Sequence, residues 1–221
     1  MKPILFNEEM VRAILAGRKT VTRRVIKPRF RDDESGFQVC HNDDWSSWYV
    51  EKLDADECSF DQTRYVDPPY NVGDILYVRE TWRVMSAWSG SYRGCEIEYR
   101  AGGSKVFDEV IAVPKYMEPW RPSIHMPKDA ARIFLKVKAV RVERLQDITS
   151  EGALKEGIAS SECKDCKASF GCDTCIHEDR DEVVRFSELW DSTISKNVVD
   201  TYGWEANPWV WIFEFERVDK E

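Results

Sequence analysis

Histidine is scarce in this chain of 221 residues, which contains three. No pair of imidazoles is evident for the acid–base relay of many RNA-cleaving enzymes, which counts against a ribonuclease. Long apolar runs are missing too. No stretch approaches the roughly 20 residues that a membrane span needs, so no membrane partner is expected. The opening MKPILFNEEM lacks a basic region followed by an apolar stretch ending in small residues, and the expected location is cytoplasmic. Net positive charge is lacking as well: 32 basic side chains face 40 acidic ones, for a formal charge of −8. Proteins that coat nucleic acid nonspecifically need the opposite balance, because such binding is phosphate neutralisation. There is no internal repeat and no low-complexity tract.

What is present is enough for a core. With 43% hydrophobic and 12% aromatic residues, nine of them Trp, the chain fits one elaborated domain over 1–221 and a well-packed β-rich interior. The acidity is not uniform. Between Met10 and Arg31 stand Arg12, Arg18, Lys19, Arg23, Arg24, Lys27, Arg29 and Arg31, with no acidic residue among them. A solvated face is the ordinary reading of such a run, and its neighbours decide whether that suffices.

Asn7 is placed to cap a helix with Glu8 and Glu9 in its first turn and Met10, Val11, Ile14 and Leu15 along one face, and Gly17 to end it. The basic stretch therefore follows a helix end, and Thr20 to Ile26 favour an extended path. Residues 31–70 are polar and Asp-rich, with Trp45, Trp48 and Tyr49 as isolated anchors, and read as a long insertion. GDILYVRETWR at 73–83 is a turn followed by alternation. Further strands are expected near Cys95–Ala101 and Lys105–Ala112, a proline-broken loop at 114–128, and a half-buried strand at 131–145. Thr149 caps a helix over 150–157, another follows at 183–195, and the last element carries Trp209, Trp211, Phe213 and Phe215 at alternate positions. Strands not paired regularly with helices argue for α+β architecture with a small barrel.

Two segments carry local chemistry. In RETWR, Glu80 and Trp82 stand two apart, so on a strand a carboxylate and a stacking ring would share one face and serve as substrate contacts; pairing of Glu80 with a neighbouring arginine is the plainer alternative. In CKDCKASFGCDTC, Cys163, Cys166, Cys172 and Cys175 form two CxxC pairs, four of the chain's seven cysteines. Two such pairs grip a tetrahedral zinc from both sides, and four thiolates leave no open position, so a structural zinc within the second insertion, 159–182, is expected. Disulfides, free thiols or an iron–sulfur cluster are the competing uses. No organic cofactor is expected.

GRKTVTRR at 17–24 after a short helix, GDILYV at 73–78, LKEGI at 154–158 and a final aromatic strand with an EF pair together resemble the ASCH domain of the PUA-like superfamily. The pattern is that of bacterial and phage-encoded ASCH proteins, whose core the N4-acetylcytidine amidohydrolases share. The resemblance leaves out 31–70 and 159–182. It implies a PUA-like small β-barrel with flanking helices and two insertions, and a cleft for a modified nucleoside or RNA. It also implies that Lys19, Thr22 and Glu156 are the catalytic residues of an amidohydrolase and that Arg24 ends the motif. A threonine needs a deprotonated neighbour as base, and burial with the like charges of Arg18, Arg23 and Arg24 lowers a lysine's pKa. Arg23 and Arg24 are further expected to contact substrate. Lys19 and Thr22, three apart, meet only if the chain bends after Gly17. A noncatalytic RNA-binding module and a ribonuclease are the alternatives.

Overall fold

Asn7 does cap the first helix. Its side chain accepts the Met10 backbone N–H at 2.9 Å, the helix α1 spans Glu8–Leu15, and Gly17 follows with φ +73°. Val11, Ala13 and Ile14 are buried, whereas Leu15, expected on the apolar face, points outward. The computed structural model describes residues 1–27, 37–42, 47–52, 64–87, 95–107, 119–159 and 181–219.

The architecture is α+β. Strands β1 (Lys2–Leu5), β2 (Val21–Val25), β6 (Ile75–Arg79), β10 (Phe134–Arg144) and β11 (Trp209–Val218) form one sheet in the order β1-β6-β10-β11-β2. Only β1 and β6 run parallel; the other pairs are antiparallel. Among the described residues β1 and β2 stay at opposite edges, so the sheet is open and not the closed barrel expected from the sequence. Within 31–70, β3 (Phe37–Asn42), β4 (Ser47–Lys52) and β5 (Arg64–Tyr65) form a three-stranded sheet, so that insertion carries secondary structure of its own. A third sheet joins β7 (Trp82–Ala87), β8 (Cys95–Tyr99) and β9 (Ser104–Phe107).

Both faces of the main sheet are covered. On one, Ile4, Leu76, Val78, Leu135, Val137, Trp211, Phe213 and Phe215 pack with α1, and Trp48 of β4 sets its ring edge-on to Trp211 at 5.4 Å. On the other, Tyr77 and Phe134 lie against the third sheet. Farther along that face, Val21, Val210 and Ile212 lie against α2 (Ser150–Lys155) and α3 (Glu182–Thr193), which present Ala153, Phe186 and Trp190. A short α4 (Val199–Tyr202) follows α3. Burial on both faces is why β11 reads WVWIFEF and not as a simple alternation of apolar and polar. β10 has a bulge between Val137 and Ala139, which moves the inward set from Leu135 and Val137 to Val140 and Val142. No helix among the described residues is long and apolar enough to cross a membrane.

Candidate functional site around Lys19 and Glu156

The basic segment is pinned before it becomes a strand. Arg18 and Lys19 donate their backbone N–H groups to the Ala13 carbonyl at 2.9 and 3.1 Å, and Thr20 donates to Lys155 at 2.9 Å. The chain thus bends after Gly17. It turns Lys19 inward, where its side chain is fully buried. The ammonium donates to the Glu156 carbonyl at 2.8 Å and to Glu156 Oε2 at 2.5 Å.

Glu156 is the C-cap of α2, a helix started by Thr149, whose hydroxyl accepts the Gly152 N–H at 3.1 Å. Its second oxygen, Oε1, accepts from Arg23 at 3.2 Å, and Arg23 reaches Glu143 at 3.8 Å. One buried carboxylate thus serves two buried cations. The Arg23 Nε is buried and makes no hydrogen bond. Gly157, φ +99°, lets α1 and Lys19 close in: a Cβ there would stand 2.8 Å from Ala13 Cβ and 3.1 Å from Lys19 Cβ.

Burial lowers the Lys19 pKa below its usual 10.5. Contact with Glu156 opposes the shift, and Arg24 and Arg23 add to it. Desolvation prevails over a carboxylate in direct contact. Phe6 lies beneath two cations, with Lys19 Nζ 5.6 Å and Arg24 Cζ 5.4 Å from its centroid. Arg24 also donates to the Leu5 carbonyl at 2.8 Å.

Thr22 is buried in β2, opposite Phe213 of β11. Strand alternation puts it on the face of Arg24, with Val21 and Arg23 on the other. No hydrogen bond joins its hydroxyl to Lys19 or Glu156. Lys19, Glu156 and Arg23 are therefore brought together, while Thr22 and Arg24 flank them on β2.

Glu80 and Trp82 do not share a strand face. β6 stops at Arg79, the chain crosses to the third sheet through Glu80 and Thr81, and Trp82 begins β7. Glu80 is gripped by Arg132, whose Nε and NH2 donate to its two oxygens at 2.8 Å each. Burial raises the Glu80 pKa above 4.5 against the pull of Arg132. Trp82 is 1% exposed among Val84, Ile97 and Tyr99, a core ring with no face open for stacking. Arg132 had no signal in the sequence, because its partner is 52 positions away. Cys163, Cys166, Cys172 and Cys175 lie outside the described residues, and among those described no cluster of three or more His, Cys, Asp or Glu is arranged to hold a metal.

Two hollows border the region. The smaller, about 120 Å³, is lined by Arg23, Glu143, Thr149 and Gly152 among others. The larger, about 530 Å³, lies between α1, the exit of α2 and α3, and has Glu156 and Gly157 in its wall. Lys19 and Thr22 line neither. Arg18, from the basic run, and Arg185, which no sequence pattern singled out, line the larger. Compared with protein-family models, curated proteins and solved structures, the chain matches none.

Proposed function

We propose that the chain is an ASCH-type domain of the PUA-like superfamily that accepts a nucleotide or RNA and hydrolyses an acyl group from a nucleobase, N4-acetylcytidine being the model substrate. The observation that carries this reading is the buried Lys19 amine, its pKa lowered by desolvation and its position fixed by Glu156. An amine that releases its proton more readily than usual is what a threonine nucleophile requires.

In the proposed reaction Thr22 Oγ1 attacks the acetyl carbonyl carbon and Lys19 takes the hydroxyl proton. The C–N4 bond then breaks, N4 receives that proton, and water hydrolyses the acetyl-threonine ester to acetate. Glu156 holds the amine in place, and Arg23 shares the carboxylate so that it is not committed to Lys19 alone. Incubation with N4-acetylcytidine tests this directly. Cytidine should accumulate with wild type and not with Lys19→Ala or Thr22→Ala, and no turnover by wild type rejects the hydrolase.

A noncatalytic RNA-binding module is favoured by one feature, the missing hydrogen bond between Thr22 and Lys19. RNA binding that persists in both variants, with no turnover by wild type, would establish it. We further propose that Cys163, Cys166, Cys172 and Cys175 bind a structural zinc that staples the second insertion.

A further inference from the structure

The larger hollow includes in its lining the apolar side chains of Met10, Ala13, Ile158 and Leu189. At about 530 Å³ it falls in the range of small-molecule sites. Two guanidiniums border it without an ion pair among the described residues, in a lining that also holds the carboxylates of Glu9, Glu156 and Glu188. Arg18 donates to the Gly157 carbonyl at 2.6 Å and Arg185 to the Ala159 carbonyl at 2.8 Å, and neither meets a carboxylate among the described residues. A carbonyl fixes the direction of a guanidinium but does not cancel its charge. Each arginine has five N–H donors, so most remain available to an anion. Arg12, also in the lining, is already paired with Glu8.

We infer that this hollow binds a phosphate group of a nucleotide, gripped by Arg18 and Arg185. Arginine forks match phosphate oxygens in geometry as well as charge. The wall shared with the Lys19 site is Glu156 and Gly157, where the missing side chain of Gly157 keeps the partition thin. The choice of a nucleotide rests on the function proposed above, whereas the hollow and its two arginines do not.

Calorimetry with cytidine, cytidine 5′-monophosphate and a cytidine hexanucleotide tests the inference on the full chain at low salt. The monophosphate should bind at least about tenfold more tightly than cytidine, and Arg18→Gln and Arg185→Gln should each remove about tenfold from its affinity. Cytidine binding should not change. Arg18→Lys, which keeps the charge, should restore part of the loss, Glu9→Gln should tighten the monophosphate, and Lys138→Gln on β10 should do nothing. A hexanucleotide that outbinds the monophosphate, and weakens in both glutamine variants, identifies the phosphate as that of RNA; the reverse order identifies a free nucleotide. Equal binding of cytidine and its monophosphate overturns the inference. So does unchanged monophosphate affinity in Arg18→Gln and Arg185→Gln proteins that melt like wild type. A phosphate preference without hydrolysis of N4-acetylcytidine sinks the catalytic proposal alone, and hydrolysis without that preference sinks this one alone.

Discussion

Replacing Glu156 by Gln should be the most damaging single change in the Lys19 cluster. Glu156 is the shared counter-charge of Lys19, whose side chain is fully buried, and of Arg23, which is 3% exposed. Its loss leaves two desolvated cations together, with only Glu143 at 3.8 Å from Arg23 as partial relief. Stranding a buried charge in this way costs about 3–5 kcal/mol, roughly 10 °C of melting temperature in a domain of this size. Lys19→Met should cost less, about 1–2 kcal/mol, because Arg23 still neutralises Glu156 at 3.2 Å. The double variant should recover part of the Glu156→Gln loss. The pH dependence has a definite sign. Burial lowers the folded-state pKa of Lys19 below 10.5, and without the opposing carboxylate it falls further. Between the folded value and 10.5 the unfolded chain binds the extra proton, so stability rises with pH. The Glu156→Gln deficit should therefore be larger at pH 7 than at pH 9.5 in urea titrations of wild type and variant. A deficit under about 1 kcal/mol, or one that does not vary with pH, would refute this account of the cluster.

Gly157→Ala should destabilise by about 2 kcal/mol or more, since its φ of +99° disfavours a side chain and the new Cβ would stand 2.8 Å from Ala13 Cβ; thermal melting reads the loss. Arg132→Met should strand Glu80 and cost about 3 kcal/mol at pH 8. Burial already holds the Glu80 pKa above 4.5, so the folded state keeps a proton that the unfolded state releases, and the deficit should shrink as the pH falls to 4 in denaturant titrations. Thr149→Ala removes the cap of α2 and should lower stability by about 1 kcal/mol, with Thr149→Ser restoring most of it. Elemental analysis of purified protein should find one zinc per chain, lost in Cys163→Ser; a metal-free wild type would remove the proposed staple.

Elements defined by local signals were legible in the sequence. The Asn7 and Thr149 caps, the left-handed Gly17 and the alternating aromatic strand each depend on neighbours a few positions apart. The sequence reads 131–145 as one alternating strand, and the structure adds a bulge after Val137, where the apolar positions of LKVKAVRV change phase. Long-range pairing was not legible. Nothing near Glu80 announces Arg132, and the apparent single strand through 75–82 is two strands in different sheets, divided where Glu80 turns inward. At the candidate site the resemblance named Lys19 and Glu156 together, and their side chains are in contact. It gave no indication that Arg23 would share the carboxylate, or that the open hollow would lie beyond Gly157 and not beside Thr22.

The placement of β2 at the sheet's edge bears on biosynthesis. Its ladder partner is β11, so Arg24 pairs with Trp211, far along the chain. While the ribosome is still making the middle of the protein, the basic strand has no backbone partner and Lys19 no carboxylate. This region can be completed only after β11 has been made, because β11 supplies the ladder of β2.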